Sequence, residues 1–203
     1  MKNLPTTRRK LDHIQISLNH DVASAFSTGL EKYHFQHQAL PEIDLDDIDP
    51  SFTLLGKKIS FPLLISSMTG GTPEAYKINR NLAIAAGRME VGFAVGSQRA
   101  AIENPAMVKT YRFRDFAPDI PVFANLGAIQ LNYSYGLDEC QRAVEMIKAD
   151  GLILHLNPLQ EALQPEGETR FKGLVIKIES VCRKLTVPVI IKEVGFGIST
   201  QTA

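Results

Sequence analysis

The feature that most constrains this chain is a rhythm in its second two-thirds. Apolar, β-branched runs begin at Pro62 (PLLISS), Val91 (VGFAVGS), Pro121 (PVFANLG), Gly151 (GLILHLN) and Val187 (VPVIIKEVG). By subtraction the starts lie 29, 30, 30 and 36 residues apart, the length of a strand plus a returning helix. The runs are apolar nearly throughout, which predicts strands buried on both faces in a parallel sheet covered by helices. Helix signals fill the gaps. Thr72-Pro73-Glu74 supplies an N-cap, a proline at the first helical position and an early acid. Asn104-Pro105 opens a helix in the same way. Leu137, Cys140, Val144 and Ile147 share one face at helical spacing, with Asp138 as the expected cap and Cys140 as a small core hydrophobe. Repeated βα units build either a doubly wound open sheet or a (β/α)8 barrel. No G-x-G-x-x-G follows the first run, which weighs against a dinucleotide-binding open sheet.

The first sixty residues read differently, as an irregular extension before barrel units at 61–203. They hold a basic head (Lys2, Arg8, Arg9, Lys10), a stretch of helical character from Val22 to Phe35, and an acidic segment from Pro41 to Pro50. Charge balances over the whole chain: 22 basic against 22 acidic residues among 203. A general binder of nucleic acid or of an anionic membrane would carry a basic excess. Two cysteines, Cys140 and Cys182, form no disulfide framework and no metal-ligand spacing, which points to a reduced, cytoplasmic setting. No signal peptide is read at the N-terminus, and no apolar run approaches the ~18 residues of a membrane helix.

Each run ends in polar residues. The first ends Ser66-Ser67-Met68-Thr69-Gly70-Gly71, the second Gly96-Ser97-Gln98-Arg99 and the third Asn125-Leu126-Gly127. The fourth ends His155-Leu156-Asn157, with Gln160 and Glu161 beyond, and the fifth Lys192-Glu193. The C-terminal ends of parallel strands are where α/β folds bind ligands. Five consecutive ends of this kind predict one shared polar pocket for an anionic, hydrogen-bonding small molecule. Lys192 follows Val-Ile-Ile, so its ammonium is drawn toward a dry interior, where it needs an electron-rich partner or pairs with Glu193.

Six motifs then occur in order: RKxxHI at Arg9 to Ile14, SSMTGG at Ser66 to Gly71, VGSQR at Val95 to Arg99, ANLG at Ala124 to Gly127, HLNPLQE at His155 to Glu161 and IIKEVGFG at Ile190 to Gly197. With them the chain resembles the type 2 isopentenyl diphosphate isomerases, flavoenzymes with a (β/α)8 TIM barrel. The resemblance implies interconversion of isopentenyl and dimethylallyl diphosphate, with FMN, a reductant such as NADPH, and Mg2+. It implies that the reduced flavin handles protons at the allylic carbons. By the same resemblance Ser67, Met68, Thr69, Ser97, Asn125 and Lys192 hold FMN, with Lys192 near the N1/O2 edge of the ring. Arg9, Lys10, His13, Ser97, Gln98 and Arg99 fall to the diphosphate, as two arginines and a lysine suit phosphate oxygens. His155 and Asn157 lie near the diphosphate and metal, Gln160 near the reacting carbons, and Glu161 on Mg2+. His155, Gln160 and Lys192 are thus the expected catalytic group. The resemblance also implies a homo-oligomer. It gives no role to His20, His34 or His37.

Family members are longer. This chain carries an N-terminal extension and five βα units, ending at Ser199 to Ala203 in what reads as the start of a further helix. Closing such a barrel takes about 250 residues. Three other readings compete. One is another FMN barrel, such as a hydroxy-acid oxidase or a dihydroorotate-type dehydrogenase, which the RKxxHI head and Glu161 disfavour. One is an aldolase forming a Schiff base at Lys192. One is an inactive remnant of the isomerase.

Overall fold

The computed structural model describes residues 5–25 and 27–203, with side chains from residue 10 onward. It divides into two compact units, Met1–Pro50 and Ser51–Ala203.

In the first unit α1 spans Pro5–Asn19, so Arg8, Arg9 and Lys10 of the basic head are helical where the sequence offered only charge, while Lys2 lies outside the described residues. The expected helix from Val22 to Phe35 does not form. Residues 22–25, 27 and 28 are irregular, and Gly29 sits at φ 82, in the left-handed region, where a helix could not continue. What remains is one 3-10 turn at Leu30–Lys32.

The second unit opens with a hairpin, β1 (Phe52–Leu54) and β2 (Lys57–Ile59). Its start at Ser51 places the unit boundary ten residues before the one read from sequence, because the hairpin packs with the sheet. Then follow β3 (Leu64–Ile65), α2 (Pro73–Met89), β4 (Gly92–Ala94), α3 (Arg99–Glu103) and β5 (Val122–Gly127). The chain continues through α4 (Leu137–Ile147), β6 (Gly151–Leu156), α5 (Pro158–Leu163), α6 (Leu174–Lys184) and β7 (Val189–Glu193). Each expected run yields a strand. β3 to β7 form one five-stranded sheet in sequence order, every pair parallel. Order without reversal leaves no topological switch point, unlike a doubly wound sheet. A mixed α/β fold with this curled, singly wound parallel sheet is what the described residues contain. Among them no helix is long and apolar enough to cross a membrane.

The caps were partly legible. Thr72 Oγ1 accepts from Ala75 N at 3.0 Å, and Asn104 Oδ1 accepts from Ala106 N at 3.1 Å, opening a 3-10 helix at Pro105. Asp138 does not cap α4. Gly136 is the N-cap, and Glu139 closes the turn by accepting from Gly136 N at 2.8 Å.

The two faces of the sheet carry different cores. Phe93, Val95, Val122, Ala124, Leu126, Leu152 and Leu154 pack under the helices with Cys140, Val144 and Ile147. Burial pushes the Cys140 thiol up to about 12, as a structural cysteine requires. Each large side chain enclosed there contributes about 1.5–3 kcal/mol. The opposite face holds a small core of Ala94, Phe123 and Ile153, with Leu54 of the hairpin, Leu64 and Ile190 against it. Period-two alternation then fixes what stands above that small core on the same face. Two residues beyond Phe123, Ile153 and Ile190 come Asn125, His155 and Lys192.

Candidate active site at the strand ends

A hydrogen-bonded row crosses the sheet at this level. Asn125 Nδ2 donates to Ser67 Oγ at 3.1 Å, and Asn125 Oδ1 meets His155 Nδ1 at 3.0 Å. His155 in turn is in register with Lys192 on β7. Ser67 follows β3, and β4 lies between it and β5. The row can pass over β4 because Gly96, two residues past Ala94, has no side chain there. A Cβ on Gly96 would lie 2.1 Å from the Thr69 carbonyl oxygen.

The SSMTGG loop is fixed from behind by residues that sequence reasoning passed over. Buried Asn79 on α2 donates to Thr69 O at 2.8 Å. The fully buried Tyr111 ring fills the space beside Gly70, where a Cβ would come 2.3 Å from the ring, and its hydroxyl donates to Ser97 O at 2.7 Å. Desolvation raises the Tyr111 pKa strongly, so it stays a neutral donor. No local pattern marks Asn79 or Tyr111, because both act across the fold. Met68 stands exposed on the loop.

Gln98 departs from its expected place against the substrate. It is wholly enclosed. Its Nε2 donates to Ala143 O at 2.9 Å, and its Oε1 accepts from Asn125 N at 2.9 Å. A side chain so spent ties α4 to β5 and holds the backbone of Asn125; it does not face a ligand. Ser97 is half-buried, and its Oγ accepts weakly from Arg99 N at 3.4 Å.

Lys192 is half-buried, and its ammonium donates to the Glu193 carbonyl at 2.8 Å. It does not pair with the Glu193 carboxylate as a closed salt bridge. That carboxylate accepts from Gly195 N at 2.5 Å and Phe196 N at 2.6 Å. Burial lowers the Lys192 pKa, partly offset by the charge of Glu193.

A second cluster lies beyond β6. Asn157 Nδ2 donates to Glu161 Oε1 at 2.8 Å and reaches Gln160 Oε1 at 3.3 Å. Glu161 Oε2 accepts from Glu168 N at 2.8 Å. Asn157 Oδ1 is buried and has no hydrogen-bond partner, so an oxygen acceptor is left beside a buried carboxylate. Each Glu161 oxygen keeps a lone pair for a further partner. Among the described residues no three His, Cys, Asp or Glu side chains gather as a metal-binding group. One carboxylate with amide oxygens fits a Mg2+ ion whose other ligands are substrate phosphate and water. Arg99 is held between Glu103 (Nε, 2.7 Å) and Glu168 (Nη1, 2.9 Å). Burial pulls its pKa down, but these two carboxylates outweigh that and raise it overall.

Lys10 and His13 stand three residues apart on α1, which brings them to one helix face. The Arg9 side chain lies outside the described residues. These three belong to the first unit.

No protein-family model matches the chain. A protein of Nostoc sp. is 57% identical over 199 residues, covering 98% of this chain and 57% of that protein. One from Synechocystis sp. is 56% identical with the same coverage, and one from Rickettsia felis is 50% identical over 195 residues, covering 96% of this chain and 56% of that protein. All three are named isopentenyl-diphosphate delta-isomerase. Along nearly its whole length the chain is a homologue of these proteins, and it spans about 57% of their length. Among solved structures a mandelate oxidase with an FMN adduct superposes at TM-score 0.49 and 14% identity, covering 74% of this chain and 46% of that one. A likeness that loose decides nothing about this chain.

Proposed function

We propose that this chain supplies the N-terminal extension and first five βα units of a flavin-dependent isopentenyl-diphosphate delta-isomerase, whose eight-stranded TIM barrel is completed by further units. The reading rests on 57% identity to a protein of that name over 98% of the chain. The polar row at the strand ends supports it. FMN, reduced by NADPH, supplies proton transfer at the allylic carbons when bound; Ser67, Met68, Thr69, Ser97, Asn125 and Lys192 are the residues that would hold it.

The chain's own groups then take definite parts. With Asn125 Nδ2 spent on Ser67, its Oδ1 faces His155 Nδ1. Neutral His155 with its proton on Nδ1 donates it to that oxygen. Lys192 places a cation beside His155 on the next strand. Burial that lowers its pKa also strengthens its attraction for negative charge on a bound ring or substrate. Gln160, half-buried beside Asn157, would face the reacting carbons. Glu161, aligned by Asn157 and the Glu168 amide, would hold Mg2+ against the diphosphate. Arg9, Lys10, His13 and Arg99 would hold the diphosphate itself. The working protein would be a homo-oligomer in the cytoplasm.

The test is conversion of isopentenyl to dimethylallyl diphosphate by the full-length protein that contains this segment, with FMN, NADPH and Mg2+. Conversion that needs all three supports the reading. Flavin binding without isomerisation, or oxidation of a hydroxy acid in its place, overturns it.

A further inference from the structure

Arg99 and Glu161 sit on different elements, α3 and α5, and a single loop connects them. Between α5 and α6 the backbone presses against α5: a Cβ on Gly167 would lie 1.7 Å from the Glu161 carbonyl oxygen. The next residue acts in two directions. The Glu168 backbone N–H donates to Glu161 Oε2 at 2.8 Å. The Glu168 carboxylate, largely buried, accepts from Arg99 Nη1 at 2.9 Å and from Gln130 Nε2 at 2.8 Å. The loop is stitched onward to the turn after β5, where Thr169 N donates to the Tyr133 hydroxyl at 3.0 Å and Asn132 Nδ2 to Arg170 O at 2.5 Å.

We propose that Glu168 is a positioning residue for the diphosphate end of the site: its carboxylate fixes the Arg99 guanidinium while its backbone amide fixes the Glu161 carboxylate. The proposal rests on the functional reading above, in which Arg99 meets the diphosphate and Glu161 the metal. A guanidinium gripped on two arms by two carboxylates has little freedom to swing. Its phosphate-binding orientation is set before substrate arrives, and binding then forfeits less side-chain entropy. Because the same residue aligns Glu161, the cation and the metal ligand are held in one frame.

The experiment is a double-mutant cycle in the full-length protein loaded with FMN, reading KM and kcat for isopentenyl diphosphate and Kd for inorganic pyrophosphate with Mg2+. Glu168→Ala is expected to raise KM and the pyrophosphate Kd about tenfold, with kcat changed less than about threefold and FMN affinity retained. Glu168→Gln, whose amide oxygen still accepts from Arg99, should recover most of that loss. Arg99→Ala should raise both constants, and adding Glu168→Ala to it should cost nothing more, since the residue acts through Arg99. Unchanged constants in Glu168→Ala overturn the proposal. So does strict additivity with Arg99→Ala, or a Glu168→Gln variant as impaired as Glu168→Ala. Unchanged constants in Arg99→Ala itself would place the fault in the diphosphate assignment, and the proposal would fall with it.

Discussion

A methyl group on Gly96 would meet backbone, not a side chain that could yield: the Thr69 oxygen at 2.1 Å and its carbonyl carbon at 2.3 Å. Gly96→Ala must therefore displace the SSMTGG loop, and with it the Ser67 end of the polar row. The expected outcome is destabilisation of about 1–3 kcal/mol and weaker FMN binding in the full-length protein, read by thermal melting and flavin fluorescence. Gly195→Ala, with nothing within 4 Å of the added carbon, should change neither. Glu161→Gln is expected to lower isomerisation and blunt the Mg2+ response while leaving FMN affinity intact, because one carboxylate is what the ion would share with the diphosphate. A wild-type Mg2+ titration would remove Glu161 from the metal. The candidate residues on the strand ends could be picked from sequence because polar groups closing apolar runs are locally visible. Gln98 could not be oriented that way. It follows β4 like the others, yet its partners are 45 and 27 residues away, at Ala143 and Asn125. Tyr111 and Glu168 escaped for the same reason: each is defined by what it touches across the fold.

At the scale of elements, five strands were legible because β-branched, apolar runs recur at even spacing and each closes in polar residues, whereas the apolar run Leu82–Ala86 is alanine-rich and lies inside α2. Helices were less so. Amphipathic spacing marked α4, whereas α1 has only a thin stripe of Leu11, Ile14 and Leu18 among polar and charged residues. The helical character read from Val22 onward is not realised: residues 22–25 are already irregular, and Gly29 is left-handed. Caps separate the same way, and mutation can show it. Thr72→Ala removes the oxygen that accepts from Ala75 N and should cost about 1 kcal/mol in denaturant unfolding. Asp138→Ala should stay within about 0.5 kcal/mol, since Glu139 closes that turn. Below the site, Asp150 at the start of β6 ties three elements together. Its carboxylate accepts from Arg114 Nη2 at 2.7 Å, Val122 N at 2.8 Å and Lys57 Nζ at 3.0 Å. Burial alone would raise its pKa, but the Val122 amide and the two cations outweigh burial and lower it. Its stabilisation is therefore complete above the unfolded value near ~3.9 and is lost as pH falls through the lower folded value. Asp150→Asn should be less stable at neutral pH and lose less on acidification; an unaltered acid limb would show that the network contributes nothing.

At the scale of the whole molecule, the curled parallel sheet presents two strand edges. The sequential parallel order of β3 to β7, and a small core on the face that carries the polar row, are compatible with one wall of the barrel proposed above. Among the described residues β3 and β7 each have a neighbouring strand on one side alone. Near β7 the apolar surface is not covered: Ile191, Val194 and Phe196 are exposed, as are Val175 and Ile176 on α6. The strand's own burial is only intermediate, unlike that of β5, which is buried throughout. A strand edge flanked by such side chains is a template for another chain, and β-edge pairing is how incomplete sheets associate. Residues 1–203 expressed alone should therefore form concentration-dependent oligomers, bind FMN weakly and fail to isomerise isopentenyl diphosphate, since barrel phosphate sites commonly use loops after strands seven and eight. Lysine substitution at Ile191 should reduce that association without restoring activity, because a charge on the edge discourages pairing but supplies no missing wall. Light scattering across a concentration series, with a flavin titration and turnover on the same sample, reads all three properties. A monomer that binds FMN tightly and turns over would mean that five strands suffice, and the closed eight-stranded barrel would no longer be needed to explain this site.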